Sequence, residues 1–291
     1  EPVAAALARL SEAQAKCAKE LKKLRTLSMS WTHADSPAWA SAGIAALVRL
    51  CHDPAAAADA TAMLHNLSVA DATNDALIRE AGAIPPLVAL LSRGPESAAA
   101  THAASVLRGL SVADSADIRD AGAIPPLVAL LSGGPESEAA GKAAGALRNL
   151  ACDDDEGKTA MIEAGAIPLL AALLSGGPES EAAGKAAGAL ANLACDDDEV
   201  KTAMIEAGAI PLLAALLSGG PESEAAGEAA VALANLVCHD ESRNAIVEAG
   251  AVPLLAALLS GGPESTAAGE AARALAILAC HDESRTPSSR R

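Results

Sequence analysis

The segment from residue 155 to 194, DEGKTAMIEAGAIPLLAALLSGGPESEAAGKAAGALANLA, returns almost letter for letter at 198–237. Looser copies lie on both sides. An Ala-Gly pair before Ile/Val-Pro recurs at Ala81-Gly82, Ala121-Gly122, Ala164-Gly165, Ala207-Gly208 and Ala249-Gly250, in steps of 40, 43, 43 and 42 residues. Pro85, Pro125, Pro168, Pro211 and Pro253 keep those steps, as does Gly-Pro-Glu-Ser beginning at Gly94, Gly134, Gly177, Gly220 and Gly262. Three independent markers in one register imply a helical solenoid. In such a fold each unit buries its apolar face only against its neighbours.

The 291-residue chain therefore reads as one elongated array and not as two globular domains. Its core has to be aliphatic. There is no Phe and no Tyr, Trp31 and Trp39 are the only aromatic residues apart from histidine, and Ala and Leu dominate. No apolar run reaches the length of a membrane span, and the first residues show no secretory pattern. The chain does not begin with Met, which leaves a removed organelle-targeting peptide open.

Net charge is −16 and unevenly placed. Residues 1–36 carry six Lys/Arg against four Asp/Glu, whereas residues 37–285 carry 13 against 33. Such an array repels nucleic acid, which needs a basic footprint, and attracts basic protein segments. Cys152, Cys195, Cys238 and Cys280 hold equivalent places in successive units. They are expected to be small, burial-preferring residues that end a helix. Equivalent points on stacked units lie roughly 10 Å apart, too far for a disulfide. Unpaired cysteines suit a reducing compartment, and the expected location is cytoplasmic.

Residues 1–36 divide into a helix and a connector. Val3, Leu7, Leu10, Cys17, Leu21 and Leu24 form a heptad-like seam whose second half is basic. This helix is expected either to cap the array or to dock a partner. Turn signals at Asp35-Ser36-Pro37 mark the connector, and Ser41-Ala42-Gly43 stands where Glu-Ala-Gly stands later. The array then runs over 37–285 in units of about 37–70, 71–113, 114–151, 152–194, 195–237 and 238–280, followed by a basic tail at 286–291. In the unit 198–237 the spacing predicts a first helix over Glu199–Glu206, entered from Asp196, Asp197 and Asp198, a favourable place for carboxylates. Gly208 ends it in the left-handed region. A second helix covers Pro211–Leu217, and Pro221 opens a third that runs to Val237.

The Gly-Ala-Ile-Pro junction, the three-helix division and the Asn-Leu near the end of the third helix resemble the armadillo repeat. GAIPPLVALLS at 122–132 and NLSVADATNDALIREAGAIPPLVALL at 66–91 look like the arrays of plant-type proteins, including those attached to U-box ubiquitin ligases. The resemblance covers about 37–285. It implies an all-α, right-handed armadillo-type solenoid of about six three-helix repeats with an N-terminal capping helix. A HEAT array, which usually has two helices per unit, is the nearest alternative.

In that family the third helices line the concave face, and asparagines there hydrogen-bond the main chain of a peptide. Asn66, Asn149, Asn192 and Asn235 match the position, while Gly109 and Ile277 break the row. An amide offers donor and acceptor at once, which suits reading a backbone; the competing role is a hydrogen bond kept inside the array. The nuclear-import adaptors of the family carry Trp four residues earlier. Here those places hold Ala62, Ser105, Gly145, Gly188, Val231 and Arg273, which argues against that function. Gly141, Gly145, Gly184 and Gly188 predict a smooth groove that admits close backbone approach, by a partner chain or by the next repeat. Arg108 and Arg148 join this surface. Lys142 and Lys185 give way to Glu228 and Glu270 at the equivalent place, so one half of the groove is expected to be basic and the other acidic.

No chemistry converges. The runs Asp153–Glu156 and Asp196–Glu199 lack the spacing of a calcium loop. Cys238-His239-Asp240-Glu241 and Cys280-His281-Asp282-Glu283 lack zinc-ligand spacing. His65 and His102 have no nucleophile partner in the sequence, and near-identical copies do not build one active site. The expected function is a non-catalytic scaffold that needs no cofactor. It binds an extended or helical protein segment along the third-helix groove, as a subunit of a larger assembly. The alternative is the substrate-recognition region of a ubiquitin ligase whose catalytic-adaptor domain lies outside this chain. Leu258, Leu259, Leu275 and Leu278 are expected at an open end that a further chain, or further repeats, would cover.

Overall fold

A computed structural model describes residues 37–71, 73–152, 154–195 and 197–285. The expected cap-or-docking helix within 1–36 and the tail 286–291 lie outside the described residues.

The first unit holds α1 (Pro37–Leu50) and α2 (Ala57–Ala70). Ser41-Ala42-Gly43 does not form a junction like the later ones. It lies inside α1, with nothing resembling an Ile-Pro after it to start a new helix. The next units repeat a short, a short and a long helix. They are α3 (Thr73–Glu80), α4 (Ile84–Leu91) and α5 (Ala98–Leu110), then α6 (Ser115–Asp120), α7 (Ile124–Leu130) and α8 (Glu138–Leu150). α9 (Asp155–Glu163), α10 (Ala166–Leu173) and α11 (Glu181–Leu193) follow, then α12 (Asp198–Glu206), α13 (Ala209–Leu216) and α14 (Glu224–Leu236). The last described unit is α15 (Asp240–Glu248), α16 (Ala251–Leu258) and α17 (Thr266–Arg285). Among the described residues there are no strands, and no single helix is long and apolar enough to cross a membrane.

The chain turns by 83–86° between first and second helices in the last three units. The turn is made at the Ala-Gly pair, where Gly208 has φ 68°. That left-handed backbone is open to glycine without a Cβ penalty. Asp154 accepts from the Gly157 N–H and Asp197 from the Glu199 and Val200 N–H groups, so the acidic runs do cap first helices. The third helix starts later than the prolines predict. Pro221 stays outside α14, and Ser223 is the cap, its hydroxyl accepting from the Ala226 N–H. Ser97, Ser137 and Ser180 do the same for α5, α8 and α11.

Third helices pack on third helices in sequence: α2 on α5, α5 on α8, α8 on α11, α11 on α14 and α14 on α17. Ala140, Ala143, Ala144, Leu147 and Leu150 of α8 are buried, and equivalent residues continue one aliphatic core from unit to unit. Alanine on both partners brings the helix backbones close. Gly141 is packed against Ala182 of α11, and Gly184 against Ala225 of α14. These two glycines therefore serve the next repeat. Of the leucines expected at an open end, Leu258 and Leu278 are buried, Leu275 is half-buried, and Leu259 is exposed. The cysteines Cys152, Cys195, Cys238 and Cys280 are exposed, contrary to the burial expected of them. They sit two residues past the last core leucine of each unit, and Cys195 Sγ still accepts from Asn235 Nδ2 of the next unit at 3.5 Å.

Candidate functional site

The inner surface is built by the third helices. Its curvature is visible in the reach of its side chains. Arg108 of α5 pairs with Glu181 of α11 at 3.5 Å, and Arg148 of α8 reaches Glu224 and Glu228 of α14. Each of these contacts skips a whole unit. Side chains two units apart meet only on the inside of a bend.

The asparagine row lies on this surface, but its amide nitrogens are already employed. Asn149 Nδ2 donates to the Arg108 carbonyl and to Ser111 Oγ, both at 3.1 Å. Asn192 Nδ2 donates to the Arg148 carbonyl at 2.9 Å, and Asn235 Nδ2 to the Ala191 carbonyl at 3.0 Å. Asn235 Oδ1 in turn accepts from Arg273 at 2.8 Å. Asn149, Asn192 and Asn235 thus each tie their unit to the carbonyl end of the preceding third helix. That is the inter-repeat bond, the role that competed with peptide reading.

The smooth, glycine-lined groove is not what the chain builds. A Cβ on Gly145 would meet Arg108 Cδ at 2.7 Å, and one on Gly188 would meet Arg148 Nε at 2.7 Å. These glycines make room for arginine side chains laid along the floor. The expected basic half is also largely neutralised. Glu181 is shared by Arg108 and Lys142, and Glu224 by Arg148 and Lys185. Glu224 is held below the usual carboxylate range, first by the Lys185 hydrogen bond. Glu228 goes the other way: burial raises it, with Arg148 opposing. Glu270 is paired with Arg273 of its own helix at 2.7 Å. Asn66 belongs to the same row on α2, nearer the start of the array.

Two depressions flank this floor on the Gly-Pro-Glu-Ser side. One, of about 380 Å3, lies between α8 and α11, with Lys142 among Glu136, Glu138, Glu179 and Glu181. The other, of about 590 Å3, lies between α14 and α17. Its walls carry Glu222, Glu224, Glu228 and Glu264 beside Val231 and Ala267, with no Lys or Arg in the lining. Sequence reading singled out Glu228 but missed Glu222, Glu224 and Glu264. The recurrent Pro-Glu-Ser was the available signal, since its Glu repeats on one edge of every junction.

On the outer side Arg119 bridges to Asp154 at 2.7 Å, the same carboxylate that caps α9, and Arg79 bridges to Asp114 at 2.7 Å. Among the described residues no group of three or more His, Cys, Asp or Glu is placed to hold a metal ion.

A curved stack of three-helix units, with a continuous polar inner wall and no convergent catalytic set among the described residues, defines an α-solenoid scaffold of the protein-binding kind. The family described as Armadillo/beta-catenin-like repeat matches residues 115–152, 154–195 and 197–238. Similar solved structures include an engineered protein at 32% identity, covering 81% of this chain and 98% of that one, with a TM-score of 0.69. A designed armadillo repeat protein in complex with the peptide (KR)4 is 30% identical over 81% of this chain and 99% of its own, at a TM-score of 0.66. Another designed armadillo repeat protein shows 29% identity, the corresponding shares being 81% and 99%, at 0.67. No curated protein sequence matches. The chain belongs to the armadillo-repeat family.

Proposed function

We propose that this chain is a non-catalytic scaffold that binds an extended, basic segment of a partner protein along its inner wall, with its main anchor between α14 and α17. The observation that carries this reading is the replacement of a built-in lysine. At two successive junctions Lys142 and Lys185 place an ammonium against Glu181 and Glu224. At the next junction Glu228 holds that position, and the depression has no Lys or Arg in its own lining, although Lys185 and Arg148 reach Glu224 and Glu228 from the preceding third helices. Val231 and Ala267 offer an apolar wall to the stem of an incoming Lys or Arg. The net charge of the array favours approach of such a segment, and a designed relative of the same fold was solved with a Lys-Arg peptide.

This reading assigns the chain to a larger assembly in the cytoplasm. The exposed Cys152, Cys195, Cys238 and Cys280 are in no disulfide, which suits a reducing compartment.

Calorimetry with a synthetic octapeptide of alternating Lys and Arg tests the proposal. The wild type is expected to bind, with affinity falling steeply as salt rises. The variant Glu222→Gln/Glu228→Gln/Glu264→Gln is expected to bind about tenfold more weakly or worse. Equal affinity for the two proteins would overturn the α14–α17 anchor.

A further inference from the structure

Along the inner wall each step between units pairs one large side chain with one small one. Arg108 lies over Gly145, and Arg148 over Gly188. At the next step the order reverses: Ala191 holds the place of the arginine and Val231 the place of the glycine. One step further Ala234 is followed by Arg273, which turns back to Asn235. Space for an arginine on the floor is therefore made only where an arginine is present to use it. Arg148 uses its space to reach forward two units. Its guanidinium contacts Glu228 and lies 3.8 Å from Glu224. The Glu228 side chain is only 17% exposed, and Arg148 is the cation seated on it. Both carboxylates belong to the acidic depression.

We propose that Arg148 is an internal competitor, a guanidinium supplied by the chain itself that occupies Glu224 and Glu228 and holds the groove closed to a basic partner until displaced. The inference rests on the basic-segment reading above. A guanidinium paired with a carboxylate through charge-assisted hydrogen bonds is what an arginine of the partner would offer at the same place. The two cannot both occupy Glu228. Apparent affinity for the partner is then reduced by the fraction of molecules in which Arg148 is seated. Arg108 makes the equivalent reach to Glu181, where Lys142 shares the carboxylate. Glu224 is shared in the same way by Arg148 and Lys185, so Glu228, whose ion pair is with Arg148, is the carboxylate that displacement frees.

Two variants separate this from a simple change of charge. Arg148→Ala removes the competitor and one positive charge. Arg93→Ala removes the same charge from an exposed position in the turn after α4, outside the lining of either depression. Arg148→Ala is expected to bind the alternating Lys-Arg octapeptide about tenfold more tightly than wild type at matched ionic strength, as release of a mostly seated competitor requires, and Arg93→Ala to bind as wild type does. Binding by wild type with no gain in Arg148→Ala overturns the competitor. An equal gain in Arg93→Ala also overturns it, since bulk charge then accounts for the effect. Absence of binding by wild type and both variants removes the basic-segment reading itself.

Discussion

Asn192 shows at the scale of one residue how function-like chemistry is used for structure. Its amide matches the peptide-reading position of the family, yet its nitrogen donates to the Arg148 carbonyl of the preceding third helix. That carbonyl belongs to the last turn of α8, where the helix supplies no partner. Replacing Asn192 by Ala removes the donor and leaves the acceptor half-buried and unsatisfied. The expected outcome is a stability loss of about 1 kcal/mol, read as a lower urea midpoint. A variant as stable as wild type with weakened peptide binding would return Asn192 to the binding surface. The sequence exposed the position and the chemical type of this residue. It could not decide the partner, because an acceptor 44 residues away on the preceding helix has no local signature.

At the scale of elements, the contact between α2 and α5 carries a pair of imidazoles. His65 and His102 stack with ring centroids 6.1 Å apart. His65 Nδ1 is buried without a hydrogen-bond partner, and burial depresses its pKa below 6.5, aided by His102, Lys142 and Arg108 and opposed by Glu138. The folded chain therefore takes up this proton less readily than the unfolded chain. The stability that follows is present in full above the ordinary value of 6.5 and shrinks as pH falls below it, until the folded form also protonates. Thermal unfolding followed from pH 8 to pH 5 is expected to show a decline below about pH 6.5 that is smaller in His65→Gln. Equal declines in both proteins would show that other groups control the acid limb. Element placement was more legible than this contact. The Ala-Gly turn marks where first helices end, and the register of 40–43 residues marks which helices stack. The start of the third helix was misplaced because Pro-Glu-Ser contains two competing start signals, and the serine hydroxyl, a true cap acceptor, prevails over the proline. The arginine reach across two units escaped notice for a different reason. It depends on curvature, a property of the stack that no single unit encodes.

At the scale of the whole molecule, stability belongs to junctions more than to units. Leu217 and Leu259 occupy the same place in successive repeats and sit in the same turn after the second helix. Leu217 is 2% exposed because the next unit lies over it, whereas Leu259 is 43% exposed. Ile210 and Val252 repeat the contrast at 1% and 37%. Local sequence is nearly identical around each pair, so helix propensity and turn chemistry cancel in the comparison. What remains is the area removed from water by the neighbour, and the cavity left behind when the side chain is cut back. Leu217→Ala is expected to cost about 2–5 kcal/mol, and Leu259→Ala about 1 kcal/mol or less, in urea denaturation of the full chain. The same pair also probes what covers the face formed by α16 and α17. If a partner or a second copy seats there in solution, Leu259→Ala weakens with rising concentration of that partner and approaches the cost at Leu217. Equal costs in the isolated monomer, in contrast, would mean that burial is set within each unit and that stacking contributes little, which is incompatible with a solenoid core.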